Sequence, residues 1–208
     1  MKILVLNNYA DQTKFMPQMG TLCAQVGTNC QAEIETVGYQ HFDIGYVRSR
    51  LPAFDAVVMS GSEALYSKPE DRSRFLRTIQ ATREIELPLL GICGGHQLIG
   101  MAYGEEVVAI GKSVKGYRDI EIVVDDPLFE GLPNVASVMQ SHQEMVDRVP
   151  KGFMLLACSV DTSIEAFRDP NRVLYGVQFH PERNDSEHPA GAKILENFGR
   201  LVKTTASK

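Results

Sequence analysis

The chain has 208 residues, a formal net charge of −5 at pH 7 and 44% hydrophobic residues. This length suits one domain with a sizeable core, and the acidic balance, without a cluster of Lys and Arg, argues against nucleic acid as the main partner. No apolar run is long enough for a membrane span, and the N-terminal segment has the pattern of a first strand rather than a signal peptide, so we expect a cytoplasmic protein without a membrane partner.

The first half of the sequence alternates between apolar strands and amphipathic helices. Strands are predicted at residues 2–6, 32–37, 55–59 and 87–92, and helices at residues 14–26, 69–83 and 95–103. This alternation implies parallel strand pairing with right-handed crossovers, and ligands then collect at the carboxyl ends of the strands. The predicted fold class is therefore α/β: a single domain with a mostly parallel open sheet flanked by helices.

The second half of the sequence changes character. Short strands are predicted at residues 107–110, 120–124, 137–140 and 164–167, separated by Gly, Pro and Asp turns. We expect them to add antiparallel strands to the sheet. A closing amphipathic helix is predicted at residues 189–202, so residues 1–203 are assigned to one domain and residues 204–208 to a disordered tail.

A glycine-rich turn directly after the fourth predicted strand carries a cysteine. Residues 91–97 are Gly-Ile-Cys-Gly-Gly-His-Gln, so Cys93 lies at the centre of a Gly-x-Cys-x-Gly turn. A strained strand-to-helix turn of this kind exposes its central side chain as a nucleophile, and the helix N-terminus favours the thiolate. The same pattern is compatible with a tight turn around a buried, inert thiol.

A second motif lies in the last sixth of the chain. Residues 176–182 are Gly-Val-Gln-Phe-His-Pro-Glu, at the end of an apolar run. His180 and Glu182 are two positions apart, so in an extended chain they point to the same side and supply a base with a group that orients it. Alone, this motif is more often a strand end with a solvated carboxylate. Together with Cys93, it makes a Cys-His-Glu triad the preferred interpretation.

The other three cysteines are Cys23, Cys30 and Cys158, and no pair has CxxC spacing. In a chain of this length without a secretion signal, neither disulfides nor a structural zinc site are expected. Cys23 and Cys30 could share a helix face, but buried thiols in the core explain that spacing equally well.

The two motifs resemble those of the class I glutamine amidotransferase domain, the glutaminase module of enzymes such as GMP synthase and anthranilate synthase. The resemblance covers most of the chain. It implies that Cys93 is the nucleophile, that His180 is the base and acid, and that Glu182 orients the imidazole. The residues that follow, Arg-Asn-Asp at 183–185, differ from those in both of these enzymes and weaken an assignment to either branch.

The resemblance also implies residues that bind the substrate. The substrate-binding positions of the family correspond here to Gly61, Gln97, Ser141 and His142. The last two lie in a Gln-Ser-His segment at residues 140–142, for which the alternative interpretation is an ordinary turn that satisfies its own backbone.

One departure from the family concerns the oxyanion hole. The family usually has Ser-Gly-Gly-Pro after the third strand, and the second glycine donates its N–H to the tetrahedral intermediate. Here residues 60–63 are Ser-Gly-Ser-Glu, so Ser62 and Gly94 are the expected donors. A conformation with positive φ would cost serine about 1 kcal/mol more than glycine, so we expect the isolated chain to be a slow glutaminase.

These features together imply a cysteine-dependent glutamine amidohydrolase that releases ammonia through a γ-glutamyl thioester. Neither a metal nor an organic cofactor is needed, and no stretch has the pattern of a nucleotide-binding loop that would activate an acceptor. A synthetase partner in trans, such as a GMP synthase-type enzyme, is therefore implied. Two alternatives remain open: a free-standing γ-glutamyl hydrolase or peptidase with the same triad, and a non-catalytic regulatory protein of the same fold, which the Ser62 departure suggests.

Overall fold

One mixed sheet of nine strands organises the part of the chain that the computed structural model describes, residues 1–206. Its strands are β1 (Lys2–Asn7), β2 (Glu33–Gly38), β3 (Ala56–Met59), β4 (Leu89–Ile92), β5 (Val107–Ile122), β6 (Val135–Val146), β7 (Met154–Cys158), β8 (Ala166–Asp169) and β9 (Leu174–Val177). The helices are α1 (Met16–Cys30), α2 (Ile44–Arg50), α3 (Pro69–Ser73), α4 (Leu76–Thr82), α5 (Gly94–Ala102) and α6 (Ala190–Ala206).

The strand order across the sheet is β2-β1-β3-β4-β9-β8-β7-β5-β6. The first five strands in this order pair in parallel, and the remaining pairs are antiparallel. The predicted α/β class is confirmed, with parallel strands from the first half and antiparallel strands from the second, except that β9 from the second half pairs in parallel with β4. Because all nine strands join one sheet, we propose that residues 1–203 form a single domain. Within residues 1–206, no helix is long and apolar enough to cross a bilayer.

The central strands are buried on both faces, as expected for a parallel sheet covered by helices. Strand β1 shows how the two faces are divided. Ile3 and Val5 pack in a core with α1 and α6, whereas Leu4 and Leu6 pack in a second core with α2, α4 and α5. The alternation of side chains along one apolar strand therefore builds both layers, and the two cores hold the sheet between helices.

The predicted helix at residues 69–83 is wrong as one element, because it is divided into α3 and α4. The chain turns at Arg74, whose N–H bonds to the Asp71 carbonyl oxygen, and Phe75 enters the core. The Phe75 ring stacks on Tyr39 at 4.2 Å and meets the edge of Tyr66 at 5.0 Å. Burial of this aromatic ring outweighs the local helix preference.

Other boundaries also differ from the sequence predictions. The predicted strands at residues 107–110 and 120–124 are the two ends of β5, which has a bulge between Ala109 and Val114. Helix α6 continues past the predicted tail boundary at 203 to Ala206, and residues 207–208 lie outside the described part of the chain. Helix α2 and strand β7 were not predicted, and β9 was recognised only as an apolar run before His180.

Helix α5 approaches strand β3 so closely that only glycine fits at the contact. A Cβ on Gly95 would lie 2.6 Å from the Met59 carbonyl oxygen, and a Cβ on Gly91 would lie 2.6 Å from the Gly95 carbonyl carbon. The Gly95 N–H donates to the Ser60 carbonyl oxygen at 3.0 Å. These contacts fix the turn between β4 and α5 at the carboxyl edge of the sheet.

We expect Gly95→Ala to lower the free energy of unfolding by about 2–3 kcal/mol, because the added methyl group overlaps rigid backbone. Gly20→Ala is the matched control, since Gly20 also lies in a helix and a Cβ there would meet nothing within 4 Å. That substitution should stabilise the protein by about 0.5–1 kcal/mol. Urea unfolding of both variants measures the difference, and equal stability of the two would contradict the close contact.

Candidate active site

A cavity of about 450 Å³ opens where β3, β4 and β9 end and β6 passes beside them. Six of the residues singled out from the sequence line it: Ser62, Cys93, Gln97, Ser141, His142 and His180. The fold therefore brings together residues that are up to about 120 positions apart in the chain, at the edge where parallel sheets bind ligands.

Cys93 caps helix α5 in a strained backbone conformation. Its φ is 49° and its ψ is −102°, and only Gln31 shares a positive φ among the described non-glycine residues. The Cys93 N–H donates to the Val177 carbonyl oxygen at 2.8 Å, and its own carbonyl oxygen accepts from the Gln97 N–H at 3.1 Å. Strain of this kind costs about 1–3 kcal/mol and is kept only where the surroundings impose it.

His180 and Glu182 form a buried pair beside Cys93. Their Nδ1 and Oε1 atoms are 2.7 Å apart, and the His180 N–H donates to the Met139 carbonyl oxygen at 2.8 Å. Because Nδ1 faces Glu182, Nε2 is left free of that carboxylate, and the interaction of the imidazole with Cys93 raises the His180 pKa. The sequence-predicted trio thus lies in one connected row of side chains.

The electrostatics of this pair favour a charged imidazole. Burial lowers the pKa of His180, but the nearby Glu182 and Cys93 outweigh burial and raise it to about 9. Burial likewise raises the pKa of Glu182, yet His180 holds the net pKa below its ordinary value. The imidazolium and the carboxylate therefore stabilise each other's charged forms.

The two expected oxyanion donors lie against each other. A Cβ on Gly94 would be 2.8 Å from the Ser62 backbone nitrogen, and neither N–H donates a hydrogen bond to any of residues 1–206. Both donors are therefore available to a ligand beside Cys93.

Ser62 does not take the positive φ on which the expected strain penalty depended, because it is not among the described residues with positive φ. Its hydroxyl donates to the Asn8 carbonyl oxygen at 2.9 Å and accepts from the Ala64 N–H at 3.1 Å. Serine is thus held by its own side chain in an ordinary conformation, and the expected strain penalty does not arise.

Gly61 allows the loop after β3 to touch the His180 ring. A Cβ on Gly61 would lie 3.1 Å from both His180 Cε1 and the Tyr9 hydroxyl oxygen, and 3.8 Å from Cys93 Cβ. This spacing is tighter than most Cβ contacts, so a side chain here would displace the imidazole or the tyrosine. Gly61 acts by its small size rather than by a polar group.

Ser141 and His142 lie in strand β6, so the alternative interpretation of residues 140–142 as a turn is wrong. The Ser141 carbonyl oxygen is 4.0 Å from Cys93 Sγ. His142 Nδ1 is 3.1 Å from the Glu144 carbonyl oxygen, and burial lowers the His142 pKa to about 4, so its ring is neutral near pH 7. His142 Nε2 is buried without a hydrogen-bond partner among residues 1–206, which leaves an acceptor in the cavity wall.

The Gln97 side chain joins two walls of the cavity. Its Nε2 donates to the Glu144 carbonyl oxygen at 3.0 Å and to Gln178 Oε1 at 3.1 Å. Gln178 in turn places its Nε2 3.7 Å from Cys93 Sγ. Gln178 was not singled out from the sequence, although its position two residues before His180 predicts the same side of an extended chain.

Glu144 is a second residue that was not singled out from the sequence. It is only 3% exposed, and its Oε1 accepts hydrogen bonds from the Ser67 N–H at 3.2 Å and the Ser67 hydroxyl at 2.5 Å. Its Oε2 has no hydrogen-bond partner among the described residues, and the side chain lines the cavity. A buried carboxylate oxygen without a partner is costly, so this atom is suited to a positively charged or hydrogen-bonding ligand.

His96 and the remaining cysteines lie outside this arrangement. The His96 ring is fully buried and stacks on Phe167 at 4.4 Å, and burial lowers its pKa to about 3. Burial raises the thiol pKa of Cys23 and Cys158, and raises that of Cys30 to about 12. Among residues 1–206, no group of three or more His, Cys, Asp or Glu side chains could hold a metal ion.

Comparisons with known proteins agree on one family. The family model described as glutamine amidotransferase class-I matches residues 15–201. The glutamine-hydrolysing GMP synthase subunit from Methanosarcina barkeri is 33% identical over 198 residues, which are 95% of each chain. The protein of the same name from Pyrococcus furiosus is 37% identical over 145 residues, covering 70% of this chain and 74% of the relative.

Solved structures show the same fold. A structure from Thermoplasma acidophilum superposes on 100% of this chain and 96% of its own with a TM-score of 0.81 at 23% identity. A glutamine amidotransferase from Thermotoga maritima superposes on 97% of this chain and 98% of its own with a TM-score of 0.73 at 18% identity.

We expect iodoacetamide at pH 6.5 to modify Cys93 before the other three cysteines. Cys93 lies at a helix N-terminus beside His180, whereas burial holds Cys23, Cys30 and Cys158 in the unreactive thiol form. Peptide mass spectrometry over time measures the four rates, and His180→Gln should slow only the reaction at Cys93. Equal rates at all four cysteines would contradict the assignment.

Proposed function

The chain belongs to the class I glutamine amidotransferase family, and on that premise we propose that it hydrolyses the side-chain amide of L-glutamine and supplies the ammonia to a synthetase partner. The observation that carries the proposal is the position of the strained Cys93 beside the buried pair of His180 and Glu182, at the wall of a cavity. Since similar relatives are named as the glutamine-hydrolysing part of GMP synthase, the proposed partner is a GMP synthase-type synthetase.

The first half of the proposed reaction forms the thioester. Cys93 Sγ attacks the side-chain carbonyl carbon of glutamine, and the charge that develops on the amide oxygen is stabilised by the free N–H groups of Ser62 and Gly94. The His180 imidazolium then gives its proton to the leaving nitrogen. The carbon–nitrogen bond breaks, ammonia departs, and a γ-glutamyl thioester remains on Cys93.

The second half releases glutamate. His180, now neutral, accepts a proton from water, and the resulting hydroxide attacks the thioester carbonyl carbon. The sulfur–carbon bond breaks and Cys93 leaves as a thiolate opposite the recharged imidazolium. Glu182 holds Nδ1 in both halves, so that Nε2 keeps facing the reacting atoms.

Substrate recognition is proposed to use the unpartnered atoms of the cavity wall. The ammonium group of glutamine pairs with Glu144 Oε2, which is buried without a partner among residues 1–206. The expected substrate-binding residues Gly61, Gln97, Ser141 and His142 surround the rest of the molecule, and His142 Nε2 offers an acceptor.

One observation favours the second candidate function, a free-standing γ-glutamyl hydrolase. The cavity is bordered by another of about 290 Å³, and Leu65, Ser113, Gln143 and Glu144 line both. A cleft of this extent has room for a substrate longer than glutamine. Release of substituted amines as fast as ammonia would favour this alternative. The alternative of a non-catalytic regulatory protein was suggested by the Ser62 departure, and the ordinary backbone of Ser62 removes the strain that this departure was expected to cause.

His180→Ala and Glu182→Gln should have unequal effects on ammonia release from glutamine. Removal of His180 eliminates the proton carrier, and we expect a loss of about 10³-fold or more. Glu182→Gln keeps an oxygen that can accept from Nδ1 but removes the charge, so measurable activity should remain. A steady-state assay of ammonia, with thermal unfolding as the control for folding, compares the variants. A near-normal rate for His180→Ala would refute the proposed triad.

A further inference from the structure

Arg183 follows the His-Pro-Glu segment directly, and its guanidinium lies against the carboxylate of that segment. Arg183 Nε is 3.6 Å from Glu182 Oε1, the same oxygen that is 2.7 Å from His180 Nδ1. The Arg183 side chain is 30% exposed and lines the cavity, whereas Glu182 and His180 are buried. Glu182 Oε1 therefore interacts with two positively charged partners, the Arg183 guanidinium and the His180 imidazolium.

The backbone of Arg183 is held from two sides. Its N–H donates to the His180 carbonyl oxygen at 3.1 Å, and its carbonyl oxygen is 3.1 Å from the Tyr117 hydroxyl on β5. The Tyr117 ring stacks on His188 at 3.6 Å, and its hydroxyl donates to Asp185 at 2.8 Å. These contacts fix the turn that carries Arg183, so the place of its guanidinium beside Glu182 is set by the fold.

Tyr9, from the loop after β1, lines the same cavity as Arg183. The two side chains are close enough for the guanidinium to oppose the rise that burial causes in the Tyr9 pKa, and the Tyr9 ring stacks on Phe15 at 4.5 Å. The guanidinium thus lies between Tyr9 and Glu182. Arg183 thus has the charged Glu182 carboxylate on one side and the neutral Tyr9 hydroxyl on the other. Its positive charge therefore acts mainly on the pair of His180 and Glu182.

We propose that Arg183 is a positioning residue: its guanidinium competes with His180 for the Glu182 carboxylate and limits how tightly that carboxylate holds the imidazolium. The idea rests on the proposed function, because it takes His180 as both the acid of the first half-reaction and the base of the second. An imidazole held too strongly in its charged form is a poor base for thioester hydrolysis, and one held too weakly is a poor acid for ammonia release. Arg183 balances the two requirements.

Titratable groups face the His180–Glu182 pair from each neighbouring element. Cys93 faces it from the turn before α5, Tyr9 from the loop after β1, His142 from β6, and Arg183 from the turn after β9. Burial raises the pKa of Tyr9, and burial lowers that of His142 to about 4, so both are neutral near pH 7. The charges that act directly on His180 are therefore those of Glu182 and Cys93, and Arg183 acts through Glu182.

The sign of the effect follows from these charges. Burial lowers the pKa of His180, and Glu182 and Cys93 raise it to about 9 in the presence of Arg183. Removal of the positive guanidinium leaves the negative charge of Glu182 less compensated, so His180 should keep its proton to higher pH. The decline of ammonia release at alkaline pH, where the imidazolium is lost, should move upward in the same direction.

The experiment uses Arg183→Gln, Arg183→Lys and a control, Arg48→Gln, at an exposed arginine on α2 that pairs with Glu84. The titration of His180 is followed by NMR of the labelled histidine rings, assigned with His180→Gln, and kcat and KM are measured across pH. Arg183→Gln should shift both the NMR titration and the alkaline limb of kcat upward by about 0.5–1 pH unit, with KM within about twofold. Arg183→Lys should remain near the wild type, and Arg48→Gln should shift nothing.

The NMR titration separates this inference from the proposed function, because it needs no turnover. An unshifted His180 in folded Arg183→Gln would overturn the inference, as would a rise in KM alone, which would make Arg183 a substrate contact. A shifted titration without ammonia release from any variant would support the charge coupling and overturn the glutaminase proposal. Arg183→Met, which keeps the aliphatic stem, supplies the same measurement if the glutamine variant unfolds.

Discussion

The close contact between helix α5 and strand β3 is the constraint on which the candidate site depends. Because Gly95 lies against the Met59 backbone and Gly91 lies against Gly95, the chain must reverse within one residue between β4 and α5. That residue is Cys93, which takes a positive φ as a result. The packing of the fully buried strands β3, β4 and β9 holds this strain, so the thiol is fixed at the carboxyl edge of the sheet and is not free to relax.

The remaining parts of the site are placed relative to this turn by strand pairing. Strand β9 pairs in parallel with β4, and the Cys93 N–H bonds to Val177, so the residues that follow β9 emerge beside the thiol. Strand β6, from the antiparallel half, supplies the opposite wall with His142 and Glu144. The parallel half therefore carries the proposed chemistry, and the antiparallel half carries the proposed recognition of the substrate's charged end.

The sequence could predict what depends on local pattern. Continuous apolar runs predicted the central strands, and two short motifs predicted that Cys93, His180 and Glu182 would meet, because each motif has a fixed place at a strand end. Features set by distant contacts could not be predicted in this way. The break before Phe75 depends on the rings of Tyr39 and Tyr66, and the partnerless Glu144 carboxylate depends on how β6 passes the cavity. Ser62 was recognised as a departure from the family, but its conformation depends on a hydrogen bond to Asn8 from another loop.

In the proposed reaction, Cys93 carries the γ-glutamyl group during turnover. Rapid mixing with glutamine, an acid quench within milliseconds and mass spectrometry of the intact chain would detect this intermediate. We expect a fraction of the protein to be heavier by one glutamyl group, mapped to the peptide that contains Cys93 and absent from Cys93→Ser. Ammonia release that proceeds with no such adduct at any quench time, or an adduct on another residue, would contradict it.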